Sequence, residues 1–258
     1  MLRSLQMAKK AMQIQQSRVD VLANNLANAA TTGFRQVLTQ VQDPAAADGA
    51  LSPGNVGQPL NADLLTTSGA VDRLAVNHAT DQRRGAVAPT GRNTDVALQS
   101  RGFFVVQDQE GNELYTRDGG FHLDNTGRLV TAGGLQVQGS GGAIEVGTGT
   151  LEILGDGTVS VNGAARGRLR VVDFEDPTKL THRGDSLMAT DADRPASDVP
   201  AKEIGVLQGH LEGSNVDPVR TLVDMIAAQR AFEVQSKMLQ ASDESLQKSV
   251  NNLSAVRG

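Results

Sequence analysis

Hydrophobic positions along the chain fall into two patterns, helical at both ends and strand-like in the middle. Near the N-terminus Leu5, Met12, Val19 and Leu26 recur every seven residues. Ala8, Leu22 and Ala29 hold the companion positions, and polar Gln15 is the exception. This spacing predicts a helix over about residues 1–30 with a narrow apolar seam, as in coiled coils. Gly33, after Thr31-Thr32, is the expected terminator. At the other end Asp217 can cap a helix and Pro218 can open it. Val216, Val219, Val223 and Ile226 follow a 3-4-3 spacing, and Ala227, Ala231, Val234, Met238 and Ala241 continue it. Leu246, Val250 and Leu253 resume after a five-residue step. The predicted helix, residues 217–253, would be about 55 Å long at ~1.5 Å per residue.

Between the helices the pattern changes twice. Residues 41–70 contain Pro44, Pro53 and Pro59 among Ala, Gly and Asn, which suits a linker or an extended arm. Beyond Asp95, short apolar runs at 103–106, 151–154, 159–161 and 169–174 read as strands. Glu110-Gly111, Asp118-Gly119, Thr126-Gly127, Asp156-Gly157 and Asn162-Gly163 supply turn signals. Residues 178–204 read as polar and irregular. The expected fold class is α+β: N- and C-terminal helices paired in a coiled coil, plus a central β-rich domain. The expected boundaries are a helix over 1–34, a linker or arm over 35–70, a β-rich domain over 71–210 and a helix over 211–258.

Composition narrows the chemistry. The 258 residues include six Phe, one Tyr, no Trp and 28 Gly, which argues against a single aromatic-filled core. The net charge of −5 without a basic face argues against nucleic-acid binding. With no Cys, disulfides, thiolate nucleophiles and Cys-type zinc sites are excluded. No apolar run is long enough to span a membrane, and the N-terminus lacks the apolar stretch of a secretory signal.

Candidate sites are sparse. His78, His122, His182 and His210 are scattered without ligand spacing, so no metal site is expected. Gly139-Ser140-Gly141-Gly142 lacks the third glycine of a dinucleotide fingerprint, so no cofactor is expected. Asp118, Asp124 and Asp156 sit at turns, where carboxylates bond to nearby backbone, and no catalytic residue is assigned. Arg183-Gly184-Asp185 spells an adhesion tripeptide with no supporting context. The remaining signal is the pair of terminal helices. Narrow, Ala-rich seams bury too little area to hold one isolated subunit firmly, so assembly with neighbours is favoured over an ordinary intramolecular hairpin. The assembly seam is expected to comprise Leu5, Met12, Val19, Leu22, Leu26, Val219, Val223, Ile226, Val234 and Met238.

The stretch Ala23-Asn24-Asn25-Leu26-Ala27-Asn28-Ala29-Ala30-Thr31-Thr32-Gly33-Phe34 resembles the N-terminal signature of the flagellar rod and hook protein family. Leu211-Glu212-Gly213-Ser214-Asn215-Val216-Asp217-Pro218-Val219, extended by 225–233 with Arg230, is similar to its C-terminal counterpart. Asp95–Leu98, Gly102–Val106 and Tyr115–Phe121 resemble its central β-domain. The signature positions are thus Asn24, Asn25, Leu26, Asn28, Gly33, Phe34, Ser214, Asn215, Val216 and Arg230. Pro89-Thr90-Gly91 and Gly167–Phe174 look most like the proximal rod member that adjoins the distal rod, and residues 35–70 lack the aromatic stretch usual in distal members.

The resemblance implies a structural, non-enzymatic subunit that polymerises with itself and other rod proteins and transmits torque from motor to hook. It also implies passage through the flagellar export apparatus without a cleaved signal peptide, and residence in the periplasmic rod of the basal body. Charge and apolar patterning, as above, add the expectation of no nucleic-acid partner and no membrane span. The competing readings are a distal-rod or hook-type subunit, or a β-rich carbohydrate-active protein with helical oligomerisation ends.

Overall fold

Asp217 starts the C-terminal helix as its side chain suggests. Its Oδ1 accepts the Val219 and Arg220 amides at 3.0 and 3.1 Å, satisfying donors that a helix start leaves unpaired. In the computed structural model, which describes residues 2–42, 75–177, 180–184, 186–190 and 196–255, two long helices bracket the strands: α1, Leu2–Ala27, and α2, Pro218–Ala255. The architecture is α+β, with a β-rich central region between terminal helices.

The chain divides into two compact units. The first holds residues 1–27, 37–79 and 217–258. In it α1 packs against α2 and against strand Val37–Gln42, which pairs with strand Ala75–Thr80. The expected linker or arm therefore opens with a strand, and residues 43–70, with Pro44, Pro53 and Pro59, lie outside the described residues. Gly33 does not terminate α1, which stops six residues earlier. The Thr31 amide closes a turn on Asn28 O at 3.1 Å instead.

The second unit, residues 28–36 and 80–216, is a set of antiparallel sheets. Its central strand, Phe103–Gln107, pairs with Glu113–Thr116, Gln136–Gly139 and Val171–Asp173. Successive side chains of a strand point to opposite faces, and here both faces are covered. Phe104 and Val106 join one apolar cluster with Val96, Leu98, Phe121 and Ile204. Phe103 and Val105 join another with Tyr115, Phe174 and Met188. That explains an unbroken apolar run where a half-exposed strand would alternate. In the hairpin joining Thr158–Val161 to Ala164–Arg168, Asn162 and Gly163 take φ of 52° and 80°, the two positive values an Asn-Gly hairpin turn needs.

One expectation fails. Within 178–204 the chain forms strands Thr181–Gly184, Leu187–Ala189 and Ser197–Asp198. The first two form a hairpin with each other, and that hairpin and the third strand are held by strands distant in sequence, as in Met188 against Tyr115 and Asp198 against Val172, so local polarity hid them. Arg183 lies in the first of these strands, and Asp185 lies outside the described residues. Among the described residues no helix is long and apolar enough to cross a membrane.

Candidate assembly interface

Two arrangements carry the terminal segments, one in each unit. In the β-rich unit a buried carboxylate gathers two buried guanidinium groups. Glu212 ends strand His210–Glu212, which pairs with Val87–Pro89. Its Oε1 meets Arg35 Nη2 at 2.7 Å and the Gly85 amide at 3.1 Å, and its Oε2 meets Arg117 Nε at 2.8 Å. Arg117 spends its other donors on backbone carbonyls: Gly102 O, Leu98 O at 2.9 Å and Ser100 O at 2.7 Å. Arg35 Nη1 bonds Arg83 O at 2.5 Å. Burial pushes the pKa of both arginines down, and the Glu212 charge opposes that push. Such a cluster holds its elements in one arrangement, because removing Glu212 leaves two buried guanidinium charges without their shared counter-charge.

Backbone bonds extend this clamp to the segment that follows α1. The Gly33 amide donates to Glu212 O at 2.8 Å. Gly33 has φ +66°, and a Cβ there would lie 2.3 Å from the Asp118 amide nitrogen, so both backbone and space require glycine. Asn215 Oδ1 accepts the Gln36 amide at 2.7 Å, and its Nδ2 donates to Asp81 O and Arg83 O. Phe34 is buried against His182, with ring centroids 5.9 Å apart, and His182 Nε2 lies 3.1 Å from Thr80 Oγ1. Burial lowers the His182 pKa. Ser214 Oγ accepts the amide of buried Val216 at 3.2 Å.

In the helical unit Asn25, buried on α1, clamps Val37 both ways: its Oδ1 takes the Val37 amide at 2.9 Å and its Nδ2 donates to Val37 O at 2.7 Å. Ala11, Ile14 and Gln15 are also buried on α1. Met12, Val19, Leu22 and Leu26 are half-buried, and the Leu5 side chain lies outside the described residues. Asn24 is exposed on α1 and Asn28 follows its end.

The α2 helix buries a face that its apolar pattern does not announce. Thr221 and Ala228 are buried, and Gln235, one further heptad along, buries its Oε1. The seam positions Val219, Val223, Ile226, Val234 and Met238 are instead between 43 and 71 % exposed, with Leu222 beside them. Helix positions two apart in sequence differ by about 200° in azimuth, so Val219 and Ile226 lie nearly opposite Thr221 and Ala228. Arg230 is exposed on the same helix. In the single chain this apolar stripe faces away from the residues α2 buries.

The turn carboxylates behave as backbone anchors. Asp124 Oδ1 takes the Thr126 and Arg128 amides, Asp156 Oδ1 the Thr158 amide and Asp118 Oδ1 the Gly120 amide. Backbone hydrogen bonds hold the Asp124 and Asp156 pKa below the usual carboxylate range. Among the described residues no three His, Cys, Asp or Glu converge on a metal position. Sequence reasoning assigned no role to Arg35, Arg117 or Glu212. Their signal was position: Arg117 and Glu212 lie inside two of the quoted motifs, and Arg35 directly follows a third.

Comparison with known proteins places all three of these residues in matched segments. Residues 5–35 match the model described as "Flagella basal body rod protein", residues 97–161 "Flagellar hook protein FlgE/F/G D1 domain", and residues 207–253 "Flagellar basal body rod FlgEFG protein C-terminal". The chain is 34% identical to the flagellar basal-body rod protein FlgG of Bacillus subtilis, over 97% of this chain and 99% of that one. Identity to FlgG of Agrobacterium fabrum is 31%, covering 94% and 96%. Identity to the rod protein FlgF of Salmonella typhimurium is 36%, covering 87% of each.

Proposed function

Because the chain belongs to the family of flagellar basal-body rod proteins, we propose that it polymerises through its terminal helices and carries torque from motor to hook. It is a structural subunit of the basal body, not an enzyme, and it assembles with other rod components. In the proposed polymer α1 and α2 pair as a coiled coil, and the stripe Val219, Val223, Ile226, Val234 and Met238 meets neighbouring copies. On α1 the corresponding residues are Leu5, Met12, Val19, Leu22 and Leu26.

The single observation carrying this reading is the exposure of that stripe opposite the face that α2 buries. Open apolar surface of this kind marks an interaction site. A second observation agrees. Gln15 and Gln235 each bury a side-chain carbonyl oxygen with no hydrogen-bond partner among the described residues. An unmet buried acceptor costs about 1–3 kcal/mol, so these positions weaken the helical unit of one chain alone. Helical polymers arise when one surface meets a different surface of the next copy without closing.

The same reading has the subunit pass through the flagellar export apparatus without a cleaved signal peptide and reside in the periplasmic rod. Pro89-Thr90-Gly91 and the absence of aromatic residues over 35–70 favour the proximal position, adjoining the distal rod.

The chain has no cysteine, so Val223→Cys creates a single reactive thiol. Isolated basal bodies carrying it should give cross-linked copies with a short bis-maleimide, and Glu145→Cys in the β-rich unit serves as the reference site. Cross-links at position 145 with none at 223 would refute the helical interface.

A further inference from the structure

We infer that folding of the β-rich unit is gated by the last stretch of its sequence: the unit closes only when residues 204–216 dock, with Glu212 as the latch. The observation is where the unit's unmet needs lie before that stretch arrives. Arg117 organises the loop leading into the central strand by donating to Leu98 O, Ser100 O and Gly102 O. Among the described residues its paired carboxylate is Glu212, and Arg35 draws on the same carboxylate. Until Glu212 docks, packing these elements would bury two guanidinium charges without their shared carboxylate, which is strongly unfavourable.

The backbone makes the same demand. Strand Val96–Leu98 has its partner in Val206–Gln208, and strand Val87–Pro89 in His210–Glu212. Ile204 and Val206 fill the larger apolar cluster beside Val96 and Leu98. The segment 33–36 is tied down by Glu212 O on Gly33 and by Asn215 on Gln36. One late stretch thus supplies the counter-ion, two strand partners, part of the core and the anchor for the unit's N-terminal segment. A chain still lacking it keeps the unit open, so native structure waits until nearly the whole sequence is free to fold.

Pulse-labelling hydrogen exchange during refolding of the full-length chain tests this. In the wild type, amides of 103–107 and 113–116 should gain protection together with those of 206–212 and not before. Glu212→Gln should slow protection across all these strands by about tenfold, the part of a broken buried pair expected in a half-formed transition state. Glu145→Gln, which removes an exposed carboxylate paired with Arg128 at 3.2 Å, should refold at the wild-type rate. Wild-type protection of 103–116 ahead of 206–212 overturns the inference, whatever the variants do. So does a Glu212→Gln chain in which 103–116 becomes protected at the wild-type rate.

Discussion

Arg35 and Glu212 meet at 2.7 Å with side chains only 4 % and 0 % exposed, joining residues from opposite ends of the sequence inside one β-rich unit. Arg35 ends the first family-matched segment and Glu212 lies in the last. The pair does not prove net stabilisation, because two desolvated charges can cost as much as their attraction returns. What it fixes is arrangement: without Glu212, Arg35 and Arg117 are both buried charges lacking their carboxylate.

Glu212→Gln should therefore destabilise the unit by about 3–5 kcal/mol. Denaturant unfolding followed by circular dichroism measures this. The exposed pair of Arg128 and Glu145 is the contrast: Glu145→Gln should change stability by at most about 0.5 kcal/mol, as surface pairs do.

Gly33→Ala should be nearly as damaging for a different reason. The left-handed backbone costs a residue with a Cβ about 1–2 kcal/mol, and the methyl would press on the Asp118 backbone. A further loss of about 1–3 kcal/mol from overpacking follows. Thermal unfolding of the full chain would show the shift, while Gly163→Ala, with nothing within 4 Å of its Cβ position, should incur only the backbone cost.

Stability should fall as pH drops below about 6.5, the unfolded histidine value. Burial lowers the His182 pKa in the folded chain. Between that lowered value and about 6.5 the unfolded chain binds more protons, so protons favour unfolding there. Below the folded value both states are protonated and no further loss arises from this group. Urea midpoints across pH 5–8 should slope in the wild type and flatten in His182→Gln over that window.

Asp124→Asn should leave fold and swimming largely intact, since an Asn side chain still offers an oxygen to the Thr126 and Arg128 amides. Motility plates and circular dichroism check it; lost swimming with an unchanged fold would point to chemistry at that carboxylate.

Much of this architecture was legible because its causes are local. The Asp217-Pro218 start of α2, the Asn162-Gly163 turn and the buried run at 103–106 each follow from residues within a few positions of one another. What stayed hidden depends on distant partners. The pairing of Met188 with Tyr115 turned a polar stretch into strands. The carboxylate of Glu212 found two arginines that nothing in the sequence links to it. The face of α2 was hidden for another reason: its apolar positions are the ones sequence assigns to a seam, yet within one chain Thr221 and Ala228 are buried and the apolar stripe stays outside.

The central claim is that this outer stripe is the surface through which copies assemble, and Ile226→Asp in the full-length chain tests it most directly. Ile226 is 43 % exposed, so the substitution leaves the buried cores of both units untouched. The account predicts a monomer with wild-type circular dichroism and thermal unfolding that forms no rod and restores no swimming to cells lacking the native subunit. Normal swimming with Ile226→Asp would contradict it and remove the α2 stripe as the assembly surface.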